Sequence, residues 1–186
     1  MNRRDALSRV AILMGGAVIG GELFLSGCKA KARGTLGLTD ADISLLDEIG
    51  EAIIPTTNTP GAKAVQIGSF MELIVTDCYS ERDQKVFVEG LKTFQQKTGE
   101  LLKKSFVDAS AEERKAFVTK LNEEQVNWQK TKKDDEPVHY FRMMKELTLL
   151  GYFSSEIGIK SQLRYNETPG KYVGDMPYKK GEHSFI

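Results

Sequence analysis

Residues that carry chemistry are scarce in this chain. Its only cysteines are Cys28 and Cys78, and its only histidines are His139 and His183. Cysteines so few and so far apart make neither a disulfide framework nor a metal-ligand spacing. Neither histidine has a cysteine near it. There is no Gly-x-Gly-x-x-Gly, no Gly-x-x-x-x-Gly-Lys-Ser/Thr, no His-Glu-x-x-His and no Cys-x-x-Cys-His. The usual marks of dinucleotide, nucleotide-phosphate, zinc-peptidase and covalent haem chemistry are therefore missing. Excess charge is missing too. Lysine and arginine number 26, aspartate and glutamate 26, so no large basic field marks a nucleic-acid binder. Alternating runs of valine, isoleucine and threonine are absent, whereas leucine, lysine, glutamate, glutamine and alanine are common, which points to helices.

Long apolar runs are also lacking. The longest uncharged stretch, residues 10–21, is too short to span a bilayer as a helix, and its four glycines weaken it further. Arg3, Arg4 and Arg9 precede it, giving the charged-then-apolar layout of an export signal. The Arg3-Arg4 pair resembles a twin-arginine signal. Ala6 stands where a phenylalanine is usual and Ser8 where a lysine is usual, which leaves the Sec route open. The segment ends in Leu25-Ser26-Gly27-Cys28, which looks like a bacterial lipobox. Small residues there let a peptidase reach the backbone beside the cysteine that receives the lipid. Glu22, late in the apolar region, is the departure from that pattern. Residues 1–27 read as a signal peptide, Cys28 as a lipidation site, and residues 28–37 as a small, basic, glycine-bearing tether. The expected product is an exported periplasmic protein, held on a membrane by lipid.

The remaining chain, residues 38–186, reads as one mostly helical domain of roughly five helices. Thr39-Asp-Ala-Asp42 resembles a capping box, and Ile43, Leu46, Ile49 and Ile53 follow at helical spacing. Pro55 ends that helix and opens a turn-forming loop, Pro55-Thr-Thr-Asn-Thr-Pro-Gly-Ala62. Ile67, Phe70, Met71, Ile74 and Cys78 form the next apolar stripe, with Cys78 expected in the core. Ser80 and Ser110 cap two further helices. Val86, Phe87, Leu91, Phe94, Leu101 and Leu102 mark the buried side of the first, and Gly90 and Gly99 are its weak points. Residues 122–136 are polar, either a solvated helix end or a loop.

The densest apolar segment of this domain is residues 137–158, the expected central helix. Pro137 suits its first turn and Gly158 its C-terminal stop. Tyr140, Met143, Met144, Leu147, Leu150, Gly151 and Ser154 recur on one face, and Gly151 invites close approach of a neighbour. His139, at its start, reads as a packed or capping residue rather than a ligand. Beyond Gly158 the chain turns rich in proline, glycine and tyrosine. Such a segment is no long helix. It wraps its own domain or docks on a partner. Asp134 and Asp135 read as solvated surface.

Two stretches together carry a family resemblance. One is Ile53-Ile-Pro-Thr-Thr-Asn-Thr-Pro-Gly-Ala62. The other runs from Phe141 through Gly174, as F-x-x-x-K-E-L-T-L-L-G-Y-F-S-S-E-I-G and then L-x-Y-N-x-x-P-G-x-Y-x-G. With Phe87 to Leu91 between them, they resemble the gluconate 2-dehydrogenase subunit 3 family over about residues 38–178. The resemblance implies a small non-catalytic subunit of a membrane-associated sugar or sugar-acid dehydrogenase. The large subunit would be a flavoprotein of the glucose–methanol–choline oxidoreductase type that holds the FAD and the catalytic base. Electrons would pass on to a cytochrome c or a quinone. The small subunit would support folding and export of the flavoprotein. No catalytic, cofactor or metal residue is carried over, and none is expected in this chain.

On that reading the partner interface draws on the loop at Pro60 and Gly61, the edge of the central helix at Tyr152 and Phe153, and the tail at Tyr165, Pro169, Tyr172 and Tyr178. The alternative is a free-standing exported lipoprotein binding module, with the residue 56–62 loop and the tail forming a ligand cleft.

Overall fold

The computed structural model describes residues 36–168 and 170–186. The expected signal peptide, with Arg3 and Arg4, and Cys28 and most of the tether lie outside the described residues, as does Pro169. Six helices follow in order among the described residues: α1 (Asp40–Ile53), α2 (Ile67–Cys78), α3 (Glu81–Leu102), α4 (Ala111–Thr131), α5 (Tyr140–Ser154) and α6 (Glu156–Gln162). A 3-10 turn at Ala62–Val65 leads into α2. No strand longer than an isolated bridge occurs among the described residues. The fold is all-α.

The helix starts follow from their caps. Thr39 Oγ1 accepts from the Asp42 amide at 3.2 Å, and the Asp42 carboxylate accepts from the Thr39 amide at 2.9 Å. Ser80 accepts from the Asp83 amide at 3.2 Å. Ser110 and Glu113 make the same reciprocal box at 3.3 and 2.8 Å. Each such cap stabilises its helix by about 1 kcal/mol. Residues 122–131 belong to α4 despite their polarity. They are held by Lys145 Nζ donating to Asn122 at 2.7 Å and Trp128 Nε1 donating to the Pro137 carbonyl at 3.2 Å.

α5 touches all five other helices and the 3-10 turn, so it is the central element. Both its ends differ from expectation. Its N-cap is His139, whose Nδ1 accepts from the Phe141 amide at 3.2 Å, and Pro137 lies before the helix instead of in its first turn. Its end is Ser154, not Gly158. Ser155 adopts an extended backbone, donates its hydroxyl to the Tyr152 carbonyl at 2.7 Å, and accepts from the Gly158 amide at 3.0 Å. One serine thus closes α5 and caps a sixth helix. Gly158 sits inside that sixth helix, and it is glycine for space: a Cβ there would lie 1.9 Å from the Tyr152 carbonyl oxygen.

The core is built where α5 meets its neighbours. Phe141, Met144, Leu147 and Tyr152 are fully or nearly fully buried, with Leu46, Ile49, Ile67 and Met71 against them. Gly151 does admit a close neighbour: a Cβ there would meet Ile67 at 2.5 Å and Phe70 at 2.6 Å. Gly90 does the same for Tyr140, at 2.1 Å, and is a packing requirement of α3 rather than a weak point. Phe94, Phe106 and Phe117 form an aromatic cluster with ring centroids 4.9 to 6.0 Å apart. Three apolar positions depart from the expected pattern. Cys78 is exposed, because α2 ends there and its side chain leaves the stripe. Leu101 is exposed in the last turn of α3, and Leu150 is exposed on the outer face of α5.

Candidate partner-docking site

The loop after α1 is held from beneath by one carboxylate. Glu51 accepts from the Thr56 amide at 2.7 Å and from the Lys63 amide at 3.0 Å, pinning both ends of the loop. Burial alone would raise the Glu51 carboxyl. Hydrogen bonds from the Thr56 hydroxyl and amide and the Lys63 amide, with the Lys63 charge, outweigh it and hold the group below the usual range. Inside the loop, the Gly61 amide donates to Thr56 Oγ1 at 3.1 Å, and the Ala62 amide donates to the Ile54 carbonyl at 2.9 Å. Gly61 has φ −86°, so no left-handed backbone is needed. It is glycine for space: a Cβ would meet the Glu51 carboxylate at 2.4 Å and the Thr56 amide nitrogen at 2.5 Å.

From above, the loop is held by α5 and α6. Tyr152 is 0% exposed, and its hydroxyl donates to the Pro60 carbonyl at 2.6 Å. Gln162, at the end of α6, donates to Thr59 Oγ1 at 2.6 Å. The last residue of α6 is therefore tied to the loop, and the C-terminal segment departs beside it. What remains outward on the loop is Pro55, Thr56, Thr57, Asn58 and Pro60.

The outer face of α5 is apolar toward its C-terminal end. Leu149, Leu150 and Phe153 are exposed at helical spacing, and Ile157 on α6 is exposed four residues on. Sequence periodicity assigned Leu150 to the buried stripe, because a helix apolar on several faces gives no sign of which one lacks a neighbour. The buried face is that of Met143, Met144, Leu147 and Gly151.

Every described residue from 164 to 186 is exposed. Tyr165, Tyr172 and Tyr178 are all exposed, Tyr172 at 95%, and Val173, Met176, Phe185 and Ile186 join them. The segment does not wrap the helices. It closes on itself: Arg164 pairs with Phe185 as a parallel bridge, the Arg164 amide donates to the Ser184 carbonyl at 2.8 Å, and the Ile186 amide donates to the Arg164 carbonyl at 3.2 Å.

The expected interface residues therefore divide. Pro60, Phe153, Tyr165, Tyr172 and Tyr178 present surface. Tyr152 and Gly61 do not. Both are buried, and they position the loop instead of facing a partner. Glu51, Gln162, Leu149 and Arg164 were not singled out in the sequence. A polar residue within reach of an irregular loop is the only signal that hinted at Glu51 or Gln162.

Elsewhere, His139 is packed as well as capping, with its side chain 9% exposed and its ring stacked on Tyr140 at 4.5 Å. Asp134 and Asp135 are exposed. No group of three or more histidine, cysteine, aspartate or glutamate side chains among the described residues is placed to hold a metal ion. No described helix is long and apolar enough to cross a membrane.

The family model described as gluconate 2-dehydrogenase subunit 3 matches residues 40–170. No curated protein and no solved structure matches the chain. The match runs from the first residue of α1, through the pinned loop and the central helix, into the Thr-Pro-Gly of the C-terminal segment, and it covers well over half of the sequence. The chain belongs to the gluconate 2-dehydrogenase subunit 3 family.

Proposed function

We propose that this protein is the non-catalytic small subunit of a membrane-associated, FAD-dependent dehydrogenase of sugars or sugar acids. The observation that carries the reading is the family match over residues 40–170. A second observation supports it. The chain displays tyrosines and aliphatic side chains on a closed C-terminal segment, and Leu149, Leu150 and Phe153 on one helix face with Ile157 on the next helix, which suits protein recognition. The partner is a large flavoprotein of the glucose–methanol–choline type, which holds the FAD and performs the hydride chemistry. Its electrons leave to a cytochrome c or a quinone. The small subunit steadies the flavoprotein during folding and export. Arg3 and Arg4 direct export, and lipid on Cys28 places the assembly on the membrane from the periplasmic side.

The reading is tested by producing the large subunit with and without this chain and measuring exported, flavin-loaded enzyme. The expected result is a large loss of exported holoenzyme when the chain is omitted, with Cys28→Ser releasing assembled enzyme from the membrane fraction. Equal export of active flavoprotein in both cases would contradict the accessory role.

A further inference from the structure

The C-terminal segment is exposed throughout, yet it is not an open tail. Arg164 and Phe185 lie on parallel-running chain, so the intervening residues leave, turn through a full circuit and return on the same heading. A third backbone bond, Asn166 amide to Ile186 carbonyl at 3.3 Å, extends the pairing. So short a ladder is marginal alone. Side chains reinforce it: Arg164 lies 3.2 Å from the Glu182 carboxylate, and its guanidinium sits over the Phe185 ring at 5.1 Å. Two corners of the circuit are glycines in the left-handed region, Gly170 at φ +67° and Gly181 at φ +89°, where other residues are strained. Between these corners lie Lys171, Tyr172, Val173, Met176, Tyr178, Lys179 and Lys180, with Asp175 the one acid.

We propose that residues 164–186 form a preformed docking loop, clamped shut by Arg164, Glu182 and the last three residues, that presents its tyrosine-bearing tip to the large flavoprotein subunit. This rests on the subunit reading above and names how that contact is made. Tyrosine rings suit apolar pockets and keep a polar tip for the rim. Three lysines against one aspartate make the tip basic, so the receiving groove on the partner is apolar and edged with carboxylates. A protein partner fits better than a membrane. Three lysines interrupted by an acid attract anionic lipid weakly, whereas a loop of fixed shape serves shape-specific recognition. The clamp residues act from outside the contact. Closing the loop beforehand removes the ordering cost that a free tail would incur on binding.

The test uses the full chain and the large flavoprotein subunit isolated from the same membranes, with the dissociation constant as readout. Arg164→Glu and Glu182→Arg each break the clamp, as does deletion of residues 184–186. Each should weaken assembly by about tenfold or more. The double swap, Arg164→Glu with Glu182→Arg, restores the ion pair in reverse and should recover a large part of the loss. Hydrogen exchange on the isolated chain should show the Arg164, Asn166 and Ile186 amides protected, and protection lost in the single variants.

Wild-type affinity in every clamp variant would overturn the proposal while leaving the subunit reading intact. Weakening that the swap does not rescue would mean these residues touch the partner directly, and would overturn the clamp. Absence of any wild-type complex would remove the subunit reading itself. Vesicles containing phosphatidylglycerol provide the remaining arm. If the variants lose vesicle binding and keep flavoprotein affinity, the loop is a membrane element and the proposal fails.

Discussion

The tripeptide Thr-Pro-Gly occurs twice in this chain, at residues 59–61 and 168–170, in opposite surroundings. In the first copy Gly61 is buried, its backbone is ordinary, and it is glycine because Glu51 and Thr56 leave no room for a Cβ. In the second, Gly170 is exposed with nothing within 4 Å of a would-be Cβ, and it is glycine because its φ is +67°. The first loop is part of the folded body. The second belongs to a segment whose contacts are with itself. One tripeptide thus serves packing in one place and backbone shape in the other, and the outward residues around each copy are the ones a partner could meet.

The largest expected effect separates assembly from stability. Replacing Tyr165, Tyr172 and Tyr178 together by alanine should weaken binding to the large subunit by about a hundredfold or more. Stability of the isolated domain should stay within about 0.5 kcal/mol, because all three are exposed and none belongs to the buried core. Unchanged binding would remove the second segment from the interface and break the contrast.

The glycine pair gives the next largest difference. Gly61→Ala should destabilise the fold by about 2 kcal/mol, from overpacking against Glu51 and Thr56. Gly170→Ala should shift global unfolding by less than about 0.5 kcal/mol, since its strain falls on an exposed loop. Urea unfolding of both variants measures the difference, and equal losses would refute it. Tyr152→Phe should cost about 1 kcal/mol by removing the hydroxyl bond to the Pro60 carbonyl. Hydrogen exchange at the Gly61 and Ala62 amides should then rise, with no change at Arg164.

The smallest effect concerns pH and lies in the helical body, away from both segments. Burial pushes the His139 imidazole below its usual value, against the opposing pull of the nearby Glu124 carboxylate and with a small contribution from Lys97. Its Nδ1 must stay unprotonated to accept from the Phe141 amide. The unfolded chain therefore takes the proton first. Stability from this group is complete above the unfolded value of about 6.5. It is lost as pH falls toward the lowered folded value. His139→Asn keeps an N-cap acceptor and should flatten that slope, by at most one proton, in urea unfolding between about pH 7 and pH 5.

Much of the helical frame was legible because caps are local. Thr39, Ser80 and Ser110 each mark a helix start through residues three positions away, and all three starts occur there. The end of the central helix was not legible. Ser155 acts through the Tyr152 carbonyl and the Gly158 amide, while Gly158, the stop the sequence suggests, lies three residues further on. Leu150 shows a second limit. Periodicity identifies apolar faces, but only the neighbours decide which one is covered. For the docking site, the exposure of Tyr165, Tyr172 and Tyr178 agrees with the tail's composition. The burial of Tyr152 and Gly61 depends on Pro60, Glu51 and Thr56, contacts that span up to 92 residues in the case of the Tyr152 bond and leave no local trace. The self-closure of Arg164 with Phe185 is likewise invisible in the sequence.

The central claim is that this chain is one part of a flavoprotein complex. The most direct test isolates the tagged protein from its native membranes in mild detergent and records the flavin absorbance and the masses present. The account predicts a yellow preparation in which a much larger flavoprotein accompanies this chain at one to one. A colourless monomer, with no flavoprotein retained even after cross-linking, would contradict it and favour a free-standing binding lipoprotein.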